Sequence, residues 1–478
     1  MSEIDFSKNE KAVLEEIGLE IKANKYVSGE MQFTDLTNTL YFLKAYQDKI
    51  RYCITWDKFL VWNGTNWEID ARGFVQERIP IFIHQMYRIM RFINDRIIKA
   101  DFEKHLIKSE SFRRIQAIVG LLKMQPSIKV IEKELDTDIY LFNVEGLTLN
   151  LKNGKAREPN TKHLITKKSN FVYDKTADCP VWKMFLMQIF RNDNQLIRFI
   201  QKAMGYTLSG DVSEQCLFIL WGTGANGKST FLNVLQQLFG DYACSASTET
   251  FMKKTSEQSN DLARLKGARL VTTSEIEQGK QMSESLIKSI TGEDELTARF
   301  LYGEYFSFKP TFKIFMATNH KPKIRGADNG IWRRIKMIPF NVTIPPEQRD
   351  KKLTEKLIAE NAGILNWLIQ GYAMWKKEGL GEEPKAVREA NEEYRMDMDS
   401  VGMFVTDCLE TDPTLKWRLP TALLYQTYIK WCNKNNERVM SQKWLGMRMS
   451  EKGFKRVITN GQRLWCGLAV KLEWRGIQ

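Results

Sequence analysis

The sequence is poor in several features that would place it in a special class of protein. Its 7 cysteines and 4 histidines are scattered through 478 residues without a CxxC pair, so neither a zinc site nor a disulfide framework is predicted. With only 12 prolines and 11% aromatic residues, the chain fits neither a disordered nor a collagen-like composition. No segment approaches the roughly 18 uncharged apolar residues of a membrane span, and the first residues lack the apolar core of a signal peptide. We therefore expect a cytoplasmic protein with no membrane partner.

Positive charge is the main bias of the composition. The 71 Lys and Arg exceed the 58 Asp and Glu, giving a formal net charge of +13, which favours a polyanionic partner. Residues 401–478 contain thirteen Lys and Arg against six Asp and Glu. A second basic stretch lies within residues 78–124, which are predicted to be helical, and a solvated helix face and a nucleic-acid track are equally compatible with it. Its basic residues are Arg88, Arg91, Arg96, Lys99, Lys104, Lys108, Arg113 and Arg114.

A phosphate-binding loop is the most specific motif in the chain. Residues 215–221, QCLFILW, predict a buried strand, and residues 222–229, GTGANGKS, fit the pattern GxxxxGK[ST] before an amphipathic helix. The N–H groups of such a loop and the helix N-terminus bind phosphates. We expect Lys228 to neutralise the β- and γ-phosphates of ATP and Ser229 to ligate Mg²⁺. The predicted nucleotide-contacting residues are Gly222, Gly224, Ala225, Asn226, Gly227, Lys228, Ser229 and Thr230.

A carboxylate is predicted to follow the next strand of the same sheet. Residues 269–275 predict a strand that ends in Glu275, which we expect to polarise the attacking water. Together with Ser229, Glu275 is also the predicted Mg²⁺ ligand. Glu277 is given a secondary role.

Polar and basic side chains follow in the order that a ring ATPase requires. Residues 312–318 predict a third strand, and Asn319 at its end is able to position water or the γ-phosphate. Arg333 and Arg334 directly precede another apolar strand. One of them is expected to reach the ATP of a neighbouring subunit as an arginine finger, and the residues alone leave the choice between them open.

The order of these motifs resembles the superfamily 3 helicases of the AAA+ class. The closer similarity is to the primase-helicases of satellite phages, plasmids and poxviruses, over about residues 50–400. The C-terminal domain and the small size resemble replication initiators of staphylococcal pathogenicity islands. The segments that carry the resemblance are VEGLTLNLKNGKAREPNTKHLITKKSNFVYD, CPVWKMFLMQIF, GYTLSGD, GTGANGKS, TGEDELTARF, MATNHKP, IWRRIKMIPF and ENAGILNWLIQGY.

The resemblance implies a homo-hexameric ring that hydrolyses ATP and moves 3′→5′ along single-stranded DNA. By motif position it gives Lys228 and Ser229 the Walker A roles, Glu275 the Walker B role, Asn319 the sensor role and Arg334 the finger role. Family members often carry a priming domain in front of this region. Residues 1–50 are too short for one, so we expect that this chain does not itself prime, and a separate primase subunit is left open as a partner.

The hairpin that enters the ring channel departs from the family pattern. Many members have Lys or Lys-His at its tip, whereas this chain has FLYGE at residues 300–304. Phosphate contacts are therefore predicted at Arg299 or Lys309, and Tyr302 is available for stacking on a base or ribose.

The basic C-terminal segment predicts a winged helix. Helices are predicted at residues 401–410 and 421–435, with Ser441 as the N-cap of a third, followed by a strand at 454–459, an Asn-Gly turn at 460–461 and a strand from 462 to 472. Because of the charge, DNA binding is favoured over protein docking. The residues expected to contact DNA are Lys443, Arg448, Lys455, Arg456 and Arg463.

The predicted fold class is α/β: an AAA+ P-loop ATPase core with an α+β N-terminal domain and a C-terminal winged helix. The expected function is a replicative DNA helicase and initiator of a mobile genetic element, which uses ATP and Mg²⁺ and binds single-stranded DNA and origin duplex. The alternatives are an ATP-switched DNA-binding regulator without unwinding activity and a self-sufficient primase-polymerase. The predicted segments are a helical segment (1–50), an α+β domain (51–205), the ATPase core (206–345), a helical segment (346–398) and the winged helix (399–478).

Overall fold

The computed structural model describes residues 7–22, 32–253, 259–273, 276–301, 303–324, 329–435, 437, 439–459 and 461–475. None of the helices in this part of the chain is long and apolar enough to cross a membrane. The first elements are α1 (Ser7–Lys22), α2 (Asp35–Tyr46), β1 (Ile50–Cys53), β2 (Lys58–Trp62), β3 (Trp67–Ile69), α3 (Phe74–Met86), α4 (Arg96–Ser109), α5 (Phe112–Met124) and β4 (Lys129–Val130).

A single hydrophobic core joins the first helices to the segment that follows them. Its buried side chains run from Val13 in α1 to Ile128 just before β4, so this core crosses the predicted border between residues 50 and 51. The sheet beside it has the strand order β3-β2-β1-β4. The helical character predicted within residues 78–124 is confirmed by α3, α4 and α5.

The segment ITWDKFLVW, the turn Asn63-Gly64 and the segment NWEI predict a hairpin within residues 52–69, and the structure differs from it in two places. Residues 54–57 form a turn, so the strand predicted across them begins only at Lys58. The predicted Asn63-Gly64 turn is instead a longer loop, in which the Asn63 N–H donates to the Asn66 carbonyl (3.1 Å). The Asn63 side-chain oxygen also accepts hydrogen bonds from two N–H groups of this loop. Such local side-chain caps compete with a tight two-residue turn.

The middle of the chain is built around one parallel sheet of five strands, in the order β14-β8-β13-β10-β9. Two further strands, β11 and β12, form the hairpin predicted from TGEDELTARF. The elements are β5 (Leu141–Val144), β6 (Leu147–Asn150), β7 (Lys155–Arg157), α6 (Pro180–Ile189), α7 (Asn194–Leu208), β8 (Leu217–Trp221), α8 (Lys228–Phe239), β9 (Ala243–Ala246), α9 (Ser259–Ala263), β10 (Leu270–Thr273), α10 (Glu284–Thr291), β11 (Leu296–Ala298), β12 (Phe306–Phe308), β13 (Lys313–Thr318), α11 (Asn329–Trp332), β14 (Ile335–Pro339), α12 (Leu353–Ala359), α13 (Asn361–Glu378) and α14 (Lys385–Asp397).

Both faces of the parallel sheet are covered. Phe218 and Leu220 of β8 belong to one hydrophobic core, whereas Leu217 and Ile219 belong to another, as the two-residue period of a strand requires. Side chains of α6, α7, α12 and α13 contribute to the first core. The helices before and after the sheet therefore pack directly on the predicted ATPase core.

Two buried cations fix the entry to β8. Lys313, the first residue of β13, donates to the carbonyls of Ser209 (2.5 Å) and Asp211 (2.9 Å). Arg269, just before β10, donates to the Leu208 carbonyl (2.5 Å). Burial lowers the pKa of both Lys313 and Arg269. The segment that leads into β8 is thus held by the amino-terminal ends of two neighbouring strands.

The last unit has a hydrophobic core of its own, which runs from Val401 to Val470. Its strands form a three-stranded sheet, β16-β18-β17, and a separate pair, β15-β19. The elements are α15 (Ser400–Cys408), β15 (Leu409–Thr411), β16 (Arg418–Pro420), α16 (Thr421–Lys434), α17 (Gln442–Glu451), β17 (Arg456–Thr459), β18 (Gln462–Cys466) and β19 (Leu468–Val470).

The helices of this unit agree with the sequence, and one strand does not. The predicted cap is confirmed, since the Ser441 hydroxyl accepts a hydrogen bond from the Trp444 N–H (3.4 Å) at the start of α17. The strand predicted from 462 to 472 is interrupted at Gly467, which has a φ of 68°, a conformation that favours glycine. The chain therefore changes sheets there. Asn460 of the predicted turn lies outside the described residues.

Candidate functional site

The loop between β8 and α8 forms a tight turn at the carboxyl-terminal edge of the parallel sheet. It occupies the position predicted from GTGANGKS, with α8 beginning at Lys228. Gly227 has a φ of 88° just before the helix, which favours glycine. Gly222 is required for its size, because a Cβ there would overlap the Asn226 side chain and the Phe340 carbonyl. The loop therefore brings its backbone to a helix N-terminus, where anions bind.

The Lys228 ammonium group is buried inside this loop, with 6% of the residue exposed. Its Nζ donates to the Gly222 carbonyl (2.6 Å), to Asn226 Oδ1 (3.2 Å) and to Asn319 Oδ1 (3.0 Å). Because a lysine ammonium has three hydrogens to donate, a phosphate oxygen that binds it takes the place of one of these acceptors.

Asn319 reaches the loop because its strand is the direct neighbour of β8. The two strands are parallel, with Thr318 opposite Trp221, so the residues that follow them lie at the same edge. The Thr318 hydroxyl accepts from the His320 N–H (3.0 Å) and donates to the His320 carbonyl (2.6 Å), which fixes the turn that holds Asn319. The structure thus brings together Lys228 and Asn319, two residues that are far apart in the sequence.

The structure describes one of the two predicted Mg²⁺ ligands, Ser229, but not the other, Glu275. Ser229 is exposed at the start of α8, and Thr230 beside it is half-buried. Glu275 lies outside the described residues, since the described part of β10 ends at Thr273. Glu277 has a side chain that is 80% exposed and lies 3.4 Å from the Lys280 ammonium. The buried ammonium, the loop backbone and the exposed Ser229 hydroxyl form a donor and ligand set that suits a nucleoside triphosphate with Mg²⁺.

Arg333 and Arg334 lie at the opposite edge of the sheet from the loop. They precede β14, which runs parallel to β8, and the Leu217 N–H donates to the Arg334 carbonyl (2.7 Å). β8 has 5 residues, which at a rise of about 3.3 Å per residue separates this edge from the loop by about 17 Å. An arginine side chain at this edge does not reach the phosphate loop of its own subunit.

Gln215, the first residue of the strand predicted at 215–221, lies just before β8 and contacts both arginines. Its Oε1 accepts from Arg333 (3.0 Å) and from Arg334 (3.2 Å). Arg334 also donates to the Thr291 hydroxyl (3.1 Å) and to the Gly330 carbonyl (2.6 Å), and it is half-buried, whereas Arg333 is exposed. Gln215 and Thr291 lie in the segments QCLFILW and TGEDELTARF, but the sequence does not predict their contacts with the arginines, because these contacts depend on the tertiary fold.

The hairpin β11–β12 presents a cationic and aromatic pair near its turn. The Arg299 guanidinium lies 4.9 Å from the centre of the Tyr305 ring, and Tyr305 is 63% exposed. Lys309 is exposed but follows β12, at the base of the hairpin. Tyr302 lies outside the described residues. Tyr305 is an aromatic candidate that the sequence motifs do not identify.

The predicted DNA-contacting residues of the C-terminal unit are mostly on its surface. Arg448 is the exception, since it is half-buried and pairs with Glu451 (3.0 Å). Trp444 on the same helix is 55% exposed, which is unusual for a large apolar side chain and was not predicted. The exposed predicted residues are Lys443, Lys455, Arg456 and Arg463.

Three segments of the chain match known families. Residues 39–191 match the family described as D5 N terminal like. Residues 220–334, which include the phosphate loop and both arginines, match a family of unknown function, DUF5906. Residues 396–464 match the family described as Poxvirus D5 protein-like.

Curated relatives come from large DNA viruses and a virophage. The chain is 30% identical to putative helicase L207/L206 of Acanthamoeba polyphaga mimivirus over 63% of its own length and 34% of the relative's. It is 22% identical to putative helicase V13 of Sputnik virophage, over 86% of the chain and 56% of the relative. Against putative primase C962R of African swine fever virus it is 25% identical, over 71% of the chain and 38% of the relative. The chain thus spans only about a third to just over half of the length of these relatives.

A solved structure shares the fold. The A form apo structure of the NrS-1 C terminal region (305-718) has a TM-score of 0.50 and 10% identity, and the match covers 88% of this chain and 96% of that one. At this identity the likeness concerns the mixed α/β fold with its parallel sheet alone. The sequence matches, by themselves, relate this chain to viral proteins named putative helicase and putative primase.

Proposed function

We propose that this chain is the motor of an ATP-dependent replicative DNA helicase of superfamily 3, with an AAA+ core, that also acts as a replication initiator of a mobile genetic element. The observation that carries this proposal is the contact between Lys228 and Asn319 (3.0 Å), which joins a phosphate loop to the end of the neighbouring parallel strand. The names of the curated relatives, putative helicase and putative primase, support the same class. The finer likeness to initiators of staphylococcal pathogenicity islands stays a prediction.

In this proposal the loop binds the phosphates of ATP, and Ser229 and Glu275 would hold Mg²⁺. When bound, the ion would supply positive charge that offsets the charge of the phosphates. Lys228 exchanges one of its loop acceptors for a phosphate oxygen. Asn319, held by the turn after β13, orients the attacking water, and Glu275 accepts its proton.

The position of the arginines supports a homo-hexameric ring. Arg333 and Arg334 lie at the edge of the sheet away from their own loop, so either one serves a nucleotide only if that nucleotide is bound by another subunit. Repeating this head-to-tail contact closes a ring. The exposed hairpin with Arg299 and Tyr305 then contacts single-stranded DNA in the channel, which we propose is traversed 3′→5′.

The C-terminal unit is proposed to be a winged helix that binds origin duplex. Helices α15, α16 and α17 and the antiparallel pair β17–β18 follow in the order that this motif requires. The separate core of the unit and its net positive charge support a module that contacts DNA independently of the motor.

Unwinding of a labelled fork tests the proposal. Forks with only a 3′ or only a 5′ tail are compared, with Lys228→Ala as the inactive variant and the exposed Lys175→Ala as the matched control. ATP-dependent displacement on the 3′-tailed fork alone is expected. ATP hydrolysis without displacement would instead favour a nucleotide-switched DNA-binding regulator. Incorporation of nucleotides on an unprimed template would contradict the expectation that the chain does not prime.

A further inference from the structure

Helix α4 exposes a face on which apolar and basic side chains alternate. Its inner face packs into the hydrophobic core through Ile98, Phe102 and Leu106, which are at most 4% exposed. On the opposite side, Ile97 is 75% exposed and Ile107 is 59% exposed. Exposed apolar surface rimmed by polar residues is typical of contact surfaces, so this face is a candidate for one.

Positive charge dominates the same face. By helical periodicity, Arg96, Lys104 and Lys108 lie beside the two exposed isoleucines, and the acidic residues Asp101 and Glu103 fall at its two borders. Within the described part of the chain, no carboxylate forms an ion pair with any of these three cations, whereas Arg114 nearby is paired with Asp35 (2.6 Å). The charge on this face is therefore available to an external anion.

Exposed aromatic side chains occur in the chain shortly before and shortly after α4. Phe112, the first residue of α5, is 78% exposed and is followed by the exposed Arg113. Before α4, Phe92 is 41% exposed, and the Arg91 guanidinium lies 4.7 Å from its ring. Exposed rings among unpaired cations are the combination with which proteins bind unpaired bases and their phosphates.

We propose that the exposed face of α4, together with Phe92 and Phe112, is a binding surface for single-stranded nucleic acid outside the ATPase core. The cations contact phosphates, and the two phenylalanines stack on bases. A duplex does not offer its bases for stacking, so the aromatic contacts favour a single strand. This surface is separate from the hairpin and from the C-terminal unit, and it does not rest on the proposed ATPase.

Binding of a labelled oligothymidylate by the full chain, measured without nucleotide across salt concentrations, tests this surface. Replacing Lys104 and Lys108 by alanine is expected to weaken binding and to lower the salt slope by about 1.4, if each contacts one phosphate. Phe112→Ala is expected to weaken single-strand binding about fivefold or more without changing the salt slope. On a blunt duplex, Phe112→Ala is expected to have no effect.

The control removes the same amount of charge elsewhere. Lys175 and Lys377 are exposed and lie far from α4 in the sequence. The variant with alanine at both positions should therefore bind the oligonucleotide like the unaltered chain. If the Lys104 and Lys108 variant binds with the same affinity and salt slope as this control, the proposal is wrong. A change in self-association with unchanged oligonucleotide binding would also overturn it, because the face would then serve a protein contact.

Discussion

The position of Arg334 predicts that one ATP site is built from two subunits. We consider two variants: Arg334→Ala, which keeps the loop, and Lys228→Ala, which keeps the arginine edge. Each alone should hydrolyse ATP at least about 10³-fold more slowly than the unaltered chain, which is the lower range of what an arginine finger contributes. The separation of about 17 Å along β8 explains why neither defect can be repaired within one subunit.

Mixing the two variants should restore activity by an amount that the ring geometry sets. A working site needs an intact Lys228 on one side of an interface and an intact Arg334 on the other. With equal amounts and random assembly, about a quarter of the interfaces combine these two residues, so turnover should recover to about a quarter of that of the unaltered ring. This recovery is measured as the rate of phosphate release at equal total protein. Energy transfer between labelled chains first shows that the subunits have exchanged.

Two controls define what this experiment can refute. In the first control, Arg333→Ala is mixed with Lys228→Ala in the same way. Only the variant that lacks the arginine finger should be inactive alone and regain ATP hydrolysis in the mixture, so the comparison identifies the finger. Mixing Lys228→Ala with Glu275→Gln should give no recovery, since both residues belong to the same side of the interface. If exchange is complete and neither arginine variant recovers, the arrangement of the site between subunits is incorrect.

Three further predictions concern the loop, the C-terminal unit and the N-terminal core. Lys228→Ala should lose nucleotide binding while Glu275→Gln retains it, as measured with a fluorescent ATP analogue, and equal loss in both would contradict their separate roles. Deleting residues 400–478 should leave ATP hydrolysis intact but weaken binding to origin duplex. The dependence of log affinity on log salt concentration should become shallower by about 0.9 for each phosphate that the unit binds. An unchanged salt dependence would indicate that the unit docks a protein. Burial lowers the pKa of His105, so the unfolded chain binds a proton more readily there and thermal stability should fall as the pH drops below about 6.5. His105→Gln should lessen this acid sensitivity.

Sequence patterns predicted the loop and the helices of this fold, because those features depend on neighbouring residues. GTGANGKS lies between a strand and a helix as expected, and Ser441 caps α17. The errors arose where a local contact interrupts a regular pattern. The side-chain cap at Asn63 opens a turn that Asn-Gly would otherwise make tight, and Gly467 separates two strands that read as one.

The order of strands in the sheet is the step that the sequence could not supply. Asn319 follows β13 and Lys228 follows β8, and they meet only because these strands are neighbours. The same order places β14 on the other side of β8, which sets Gln215 against both Arg333 and Arg334. One short strand, β8, therefore connects Gln215, which contacts the arginines, to the loop that we propose binds the phosphates. In the proposed ring, a change of loop conformation on nucleotide binding would act on one end of β8, and the arginines that would face the next subunit are held at the other end. This strand would then be the shortest physical connection between consecutive sites.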